Sequence, residues 1–202
     1  MKKLSFALIV VLLVSVSCTK DSTLEEKLTE TERTKIQKIG EGAATQLIET
    51  LKQELMQAIQ EKNISGAIEV CNKKAQELTE AIANESNNVL TIKRTTRKYR
   101  NPQNAPDELE MQALTYFEER IQTGGEMPSA HFQKFEQNGN WGYRYYRPLK
   151  VGGLCLNCHG QEQNMAADVL THLEKLYPED KATGYAAGDF RGLVSVTVRL
   201  NE

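Results

Sequence analysis

The sequence predicts an α+β protein, in which leading helices are followed by an antiparallel sheet with further helices packed on it. Apolar residues recur at helical spacing over residues 24–84. Residues 89–97 and 190–200 alternate in polarity as strands do. A turn sequence joins strand-like residues 131–135 to residues 141–151, as in a hairpin. The 202 residues are enough for one domain with its own hydrophobic core.

The first helix is predicted over residues 24–61, where apolar residues recur at a spacing of four. They are Leu47, Leu51, Leu55 and Ile59. Ser22 and Glu25 match a capping box at its start. Gly40 and Gly42 interrupt the pattern, so we expect a bend or break there. A long helix of this kind can mediate homodimer contacts, although packing against the chain's own sheet is the favoured expectation.

A second helix is predicted over residues 63–84, with Asn63 or Ser65 as its cap. Its apolar residues share one face. They are Ala67, Ile68, Cys71, Ala75, Leu78 and Ile82. Cys71 is therefore expected to face inward. On periodicity alone, a free cysteine at such a position is more often a small core residue than a functional one.

Two more helices and a closing strand complete the predicted elements. One helix begins near Pro106 and ends at Gly124 and Gly125. Its inward residues are Leu109, Ala113, Leu114, Phe117 and Ile121. The other helix covers residues 165–177. The closing strand, residues 190–200, is expected to be half-buried because alternate positions are apolar. These positions are Val194, Val196, Val198 and Leu200.

The most informative motif is the C-x-x-C-H sequence formed by Cys155, Cys158 and His159. This pattern is typical of covalent haem attachment. Two thiols with two residues between them can form thioethers with the two vinyl groups of one haem, and the adjacent imidazole can then bind the iron. The motif predicts one covalently attached haem c, and the absence of a second C-x-x-C-H in the sequence excludes a multihaem relay within the chain.

Other interpretations of these cysteines are weaker. A redox dithiol usually begins a helix in a βαβ unit and does not need the adjacent His159. A zinc site could use Cys71, Cys155, Cys158 and His159, but neighbouring residues 158 and 159 point in different directions. A structural disulfide between Cys155 and Cys158 would close a short, strained loop.

The amino terminus resembles an export signal. Lys2 and Lys3 precede an apolar stretch too short to span a membrane, and residues 1–17 end just before Cys18. The pattern predicts a lipoprotein signal peptide over residues 1–17, acylation of Cys18, a tether over residues 18–25 and a haem domain over residues 26–202. The protein is then expected in the periplasm, anchored to a membrane by lipid.

The cysteine count leaves one thiol unassigned. Of the four cysteines, Cys18 belongs to the signal, and Cys155 and Cys158 to the haem motif, so Cys71 remains. It is one of several residues that could bind the sixth position of the iron. The sequence also offers two histidines and two methionines for that role. They are His131, His172, Met127 and Met165.

A basic segment could assist cofactor binding. Arg94, Arg97 and Arg100 lie within or just after the predicted strand at residues 89–97. They suit a solvated edge strand, but guanidinium groups also bind carboxylates with bidentate geometry. The three arginines are therefore candidate contacts for haem propionates. The net charge of −2 and the absence of a basic block argue against nucleic acid as a partner.

Four segments of the sequence together carry a resemblance. They are residues 66–71 (GAIEVC), 94–106 (RTTRKYRNPQNAP), 154–160 (LCLNCHG), and 177–185 (YPEDKATGY) running into 188–192 (GDFRG). Together they resemble a known family, the small exported monohaem c-type proteins first described in thermophilic cyanobacteria and long catalogued as a domain of unknown function. The resemblance spans about residues 30 to 200, and related domains form sensory parts of bacterial receptors.

The resemblance implies a PAS-like fold, an antiparallel sheet flanked by helices. It also implies an unusual pair of axial ligands, which map to His159 and Cys71. Thiolate donation would stabilise ferric iron and give a low reduction potential. With both axial positions filled, a non-enzymatic role is expected: a one-electron redox carrier or redox sensor with an unidentified partner. A gas-binding sensor for NO or CO, and a haem enzyme or reductase subunit, are the alternatives.

Overall fold

The computed structural model describes residues 28–137 and 139–200. The predicted signal peptide, Cys18, the tether and the capping box of Ser22 and Glu25 lie outside the described residues. None of the helices in the described part of the chain is both long and apolar enough to cross a membrane. The described residues confirm the α+β class, with a long helix followed by an antiparallel sheet and flanking helices.

Helix α1, Glu30–Asn84, begins at a capping box different from the predicted one. The hydroxyl of Thr29 accepts a hydrogen bond from the backbone of Glu32, whose carboxylate accepts one from the Thr29 backbone. The helix is interrupted at Asn63, which has a φ of 64°. Asn63 Oδ1 accepts hydrogen bonds from the Ser65 hydroxyl and the Gly66 N–H, at 2.8 and 3.0 Å. Asn63 therefore caps the second segment of α1, as predicted.

The expected bend at Gly40 and Gly42 is wrong, because α1 runs through both residues without a break. Gly40 instead allows close packing on the sheet. A Cβ added at Gly40 would lie 2.3 Å from the Cγ of Tyr145, whereas one at Gly42 would meet nothing within 4 Å. The glycine at position 40 thus lets the first segment of α1 approach the sheet.

The sheet has four strands in the order β1-β4-β3-β2, and every neighbouring pair is antiparallel. The strands are β1, Val89–Thr95; β2, His131–Gln137; β3, Asn140–Lys150; and β4, Phe190–Val198. The predicted hairpin is confirmed: β2 and β3 pair from Gln137 with Asn140 outward, and Gly139 adopts a φ of 76° in the turn.

The closing strand β4 is more buried than its sequence predicted. It lies in the interior of the sheet, between β1 and β3, and is buried from Gly192 to Val198. The expectation of a half-buried strand is wrong because both faces of the sheet are covered at this position. Val194 and Val196 pack in the core beneath α1, whereas Leu193 packs in a separate cluster with α2.

The remaining helices are short. They are α2, Glu108–Gln122; α3, Leu156–His159; and α4, Ala167–Leu176, together with 3-10 turns at Pro102–Asn104 and Glu162–Asn164. Helix α2 begins at Asp107, which forms a capping box with Glu110. The prediction that Ile121 faces inward is wrong, since 40% of this residue is exposed at the end of the helix.

A third apolar cluster joins the second segment of α1 to α4. Ile68 of α1 packs against Val169 and Leu173 of α4 and against Met165. Cys158 is partly buried against this cluster. The second segment of α1 and α4 therefore form the wall beside which the C-x-x-C-H motif is placed.

Candidate haem site

The C-x-x-C-H motif forms a single helical turn after β3. The chain leaves the sheet at Val151 and turns, and the N–H of His159 donates to the carbonyl of Cys155 at 2.9 Å. Residues three apart on a helix are neighbours, so Cys155 and Cys158 lie on one side of this turn. Both are half-buried free thiols, and no disulfide joins them.

His159 has a fixed orientation. Its Nδ1 lies 2.7 Å from the carbonyl oxygen of Ala182. Because a carbonyl only accepts hydrogen bonds, Nδ1 carries the ring proton and Nε2 keeps its lone pair. Burial, with help from the nearby Arg100 and Arg191 guanidinium groups, lowers the pKa of His159 to about 3. The side chain is therefore the neutral imidazole that metals bind, with its second nitrogen available.

Residues 177–185, here called the clasp, hold the motif in place. The N–H of Gly184 donates to the carbonyl of Gly160 at 2.7 Å, and that of Tyr185 donates to the carbonyl of His159 at 3.0 Å. Ala182, which orients the imidazole, is fully buried. Sequence reasoning placed this segment in the family resemblance but gave it no chemical role, since a backbone carbonyl leaves no signature in residue type.

Arg100 joins the clasp to the motif. Its Nε forms an ion pair with Asp180 at 2.9 Å, and its side chain also donates to the carbonyl of Cys158. The exposed fractions of the Arg100 and Asp180 side chains are 14% and 11%. The guanidinium also lies over the ring of Tyr177, 5.8 Å from its centroid. Arg100 therefore serves as a structural cross-link within the site.

Tyr185 completes the surroundings of His159. The two rings meet edge to face, with centroids 6.4 Å apart and planes at 87°. Tyr185 is buried, and Lys98 Nζ and the Arg191 guanidinium lie over its ring at 4.3 and 5.2 Å. This packing restrains the imidazole on the side not held by Ala182.

Cys71 lies on the second segment of α1 and is half-buried, three residues after Ile68, which packs in the cluster beside Cys158. Burial raises the pKa of the Cys71 thiol, and Arg94 and Arg100 oppose that rise. Burial likewise raises the pKa of Cys158, with a further contribution from Cys71. The two thiols are therefore electrostatic neighbours, although they are 87 positions apart in the sequence.

The structure separates one of the three candidate arginines, Arg97, from the other two. Arg97 contacts α2: its Nε lies 2.9 Å from Glu118 and its other nitrogens contact Thr115 and Met111. Arg94 lies on β1 opposite Val194, a residue of the core beneath α1. Arg94 lies within β1, whereas Arg97 follows the end of β1 at Thr95 and contacts α2. Only Arg94 and Arg100 lie near Cys71 and the motif.

The histidines and methionines considered as sixth ligands have other surroundings. His131 stacks on Tyr116 at 4.2 Å, within an aromatic cluster on the α2 side. His172 Nδ1 lies 2.8 Å from the carbonyl of Asp168 in its own helix. Met127 packs with the α2 cluster, and Met165 packs beside Cys158. Of these four residues, Met165 alone belongs to the apolar cluster against which Cys158 packs.

The described residues contain no group of three or more histidine, cysteine, aspartate or glutamate side chains arranged to hold a metal ion. The zinc site considered for the three cysteines and His159 would require such a group. The arrangement instead presents a single imidazole nitrogen and thiols around a partly apolar wall. That arrangement suits a cofactor that brings its own metal.

A family model described as Tll0287-like (Tll0287) matches residues 21–199 of the chain. The chain belongs to the Tll0287-like family. The fold of this member is similar to a solved structure, the crystal structure of the cyanobacterial heme-protein Tll0287, with a TM-score of 0.57 and 24% sequence identity. The match covers 85% of this chain and 96% of that chain. No curated protein matches.

Proposed function

We propose that this chain is a c-type haem protein that carries one covalently attached haem and acts in one-electron redox chemistry. The observation that carries this proposal is the hydrogen bond between His159 Nδ1 and the Ala182 carbonyl. It leaves Nε2 of a neutral imidazole as a ligand, next to the two free thiols that would form the thioethers. Membership of the Tll0287-like family, and the similarity in fold to a cyanobacterial heme-protein, support it.

The residues around the motif fit the group. Cys155 and Cys158 would hold the haem, and His159 would bind its iron on one side. Ile68 and Met165 would give part of an apolar wall. The buried Nε of Arg94 has no hydrogen-bond partner in the described chain, so a site for an anionic group is available. When bound, the haem supplies an iron that cycles between ferric and ferrous states.

Cys71 is proposed as the second axial ligand. It is the thiol left over when the motif is assigned, it is half-buried, and it shares an electrostatic environment with Cys158. A thiolate ligand donates charge to iron and favours the ferric state, so the reduction potential should be low. With His159 and Cys71 both bound, no position remains for a substrate. A redox carrier or redox sensor therefore fits better than an enzyme.

Export is part of the proposal. The charged and apolar sequence before Cys18 supports secretion and lipid attachment of the domain to a membrane, in the periplasmic compartment where c-type haem is attached. Two-phase detergent partition tests this: the mature chain should enter the detergent phase, and a Cys18→Ala variant should not. A mature chain that stays in the aqueous phase would contradict the anchor.

The proposed cofactor is tested by expressing the full chain in a host that matures c-type cytochromes. The chain should retain one haem on a denaturing gel, detected by haem peroxidase stain, with the matching mass increase. Substituting Cys155 and Cys158 by serine should abolish the stain completely, whereas Cys71→Ala should keep it because position 71 makes no thioether. A wild-type chain without covalent haem would contradict the proposal. Uptake of CO or NO by the ferrous protein would instead favour a gas sensor.

A further inference from the structure

Arg94 is a partly buried cation with one buried hydrogen-bond donor that the described residues leave unpaired. Its Nε is buried and has no hydrogen-bond partner among the described residues. A buried donor without an acceptor is unfavourable, so such groups in native proteins usually have a reason. Burial also lowers the pKa of the guanidinium, and the largest opposing influence is Cys71. An acceptor for this donor is therefore expected when the site holds its cofactor.

The register of β1 places Arg94 on the face of the sheet that α1 covers. Arg94 pairs with Val194, and Ile92, two residues earlier, pairs with Val196. Ile92 and both valines belong to the core beneath α1. Ile82 of the second segment of α1 packs in this core, and Cys71 lies eleven residues, or about three helical turns, before it on the same face of the helix. The guanidinium and the thiol are also near enough for each to shift the pKa of the other.

The other two arginines of the site already have protein partners. Arg100 is held by Asp180 at 2.9 Å and by the carbonyl of Cys158. Arg191 donates to the carbonyl of Lys98 at 3.1 Å and interacts with Tyr185. Arg94 is the arginine of this group whose Nε remains free within the described chain. Its Nε is therefore the donor available to an anionic group when the cofactor is bound.

We propose that Arg94 donates a charge-assisted hydrogen bond to the Cys71 sulfur when that sulfur is a thiolate ligand, rather than pairing with a haem propionate. This inference rests on the proposed function, specifically on ligation by Cys71. Arg94 is then a positioning residue, because it acts on the iron only through the sulfur. It holds the thiolate in place and withdraws charge from it.

The expected consequence is a shift in reduction potential. Hydrogen bonds and positive charge at a ligating sulfur weaken its donation to iron, which raises the potential. Removing the guanidinium should therefore favour ferric iron further. In Arg94→Gln we expect the ratio of ferric to ferrous protein at a fixed applied potential to rise about tenfold, equivalent to a fall of 59 mV for a one-electron couple. Arg94→Lys, which keeps the charge, should recover part of this shift.

The matched control is Arg144→Gln. Arg144 also has a buried Nε without a hydrogen-bond partner in the described part of the chain, but it pairs with Asp107 at 2.7 Å on the α2 side. Its loss should lower stability while leaving the potential and the ferric EPR spectrum unchanged. A potential shift of equal size in both variants would mean a general effect of removing a buried charge, and would overturn the inference.

A double-mutant cycle with Cys71→Ala decides between sulfur and propionate. If Arg94 acts through the sulfur, Arg94→Gln should shift the potential in the wild-type background and have no effect in the Cys71→Ala background. A shift of the same size in both backgrounds would place Arg94 on a propionate and overturn the inference. A wild-type EPR spectrum without thiolate ligation would overturn the Cys71 assignment as well. If the wild type shows thiolate ligation and Arg94→Gln does not change its reduction potential, only the role of Arg94 would be overturned.

Discussion

The α2 side of the molecule and the motif side each bury a histidine, and the difference between the two histidines shows why His159 rather than His131 is the proposed ligand. Burial lowers the pKa of His131 to about 4 and that of His159 to about 3, so both are neutral at pH 7. His131 is held by aromatic stacking on Tyr116 and Tyr146. His159 is held by a backbone carbonyl that selects its tautomer, and two free cysteines lie in the same turn. Burial alone therefore does not favour either histidine, whereas the directed second nitrogen supports His159 as the proposed ligand.

The largest expected difference between the two sides is spectroscopic. Substituting His159 by alanine removes an axial ligand, so the optical spectrum should change from a six-coordinate low-spin form to a high-spin form. His131→Phe keeps an aromatic ring in its stack and should leave the spectrum unchanged. Absorption spectra of both variants after haem attachment provide the measurement. A wild-type-like spectrum for His159→Ala would remove His159 from the iron.

The ion pairs of the two sides should also differ in their contribution to stability. Arg100→Gln leaves Asp180 buried without its partner, which should lower the free energy of unfolding by about 3 kcal/mol. Arg97→Gln breaks a pair with Glu118 in which 41% of the arginine side chain is exposed, and should cost about 0.5 kcal/mol. Urea denaturation measures both. Equal losses would contradict the description of Arg100 as the cross-link of the clasp.

The first segment of α1 packs closely on the sheet at Gly40. Gly40→Ala forces a Cβ into the Tyr145 side chain and should destabilise the fold by about 2 kcal/mol. The matched control Gly42→Ala has open space and should stabilise the helix by about 0.5–1 kcal/mol. Thermal unfolding of the two variants tests this contact. A neutral Gly40→Ala would show that α1 and β3 are not in tight contact.

A further expected effect is the pH dependence that His131 contributes. Its folded pKa of about 4 lies below the ordinary value of 6.5, because it is buried and faces Arg33. The unfolded chain therefore binds the proton first, so stability is complete above pH 6.5 and decreases as the pH falls towards 4. After allowance for solvent screening, the loss should be about 2 kcal/mol. His131→Phe should remove this component from the pH profile of unfolding, and an unchanged profile would contradict it.

Local sequence signals predicted much of the fold and the centre of the site. The cap at Asn63, the hairpin around Gly139 and the C-x-x-C-H motif each depend on residues close together in the chain. Sequence could not predict that β4 is covered on both faces, because its cover comes from α1 on one side and α2 on the other. The Gly40 contact was missed for the same reason, since it depends on a tyrosine 105 positions away.

The sequence predicted which residue types form the candidate site, but not the backbone groups and charges that surround them. The Ala182 carbonyl cannot be identified from residue type, because every residue carries the same acceptor. The sequence suggested three equivalent arginines, whereas in the structure Arg97 lies beyond the end of β1 and pairs with Glu118 of α2, and Arg94 lies within β1 near Cys71. Those distinctions appear only when the strand has a definite register against its neighbours.

The ferric EPR spectrum of the mature, haem-loaded protein, compared with that of Cys71→Ala, tests the central claim most directly. Ligation by His159 and Cys71 predicts a low-spin ferric signal with the narrow g-spread of thiolate coordination, and its loss in Cys71→Ala. His131→Phe should reproduce the wild-type signal, because position 131 lies in the aromatic cluster on the α2 side. An unchanged signal in Cys71→Ala would contradict the account, since the sixth ligand would then come from another residue.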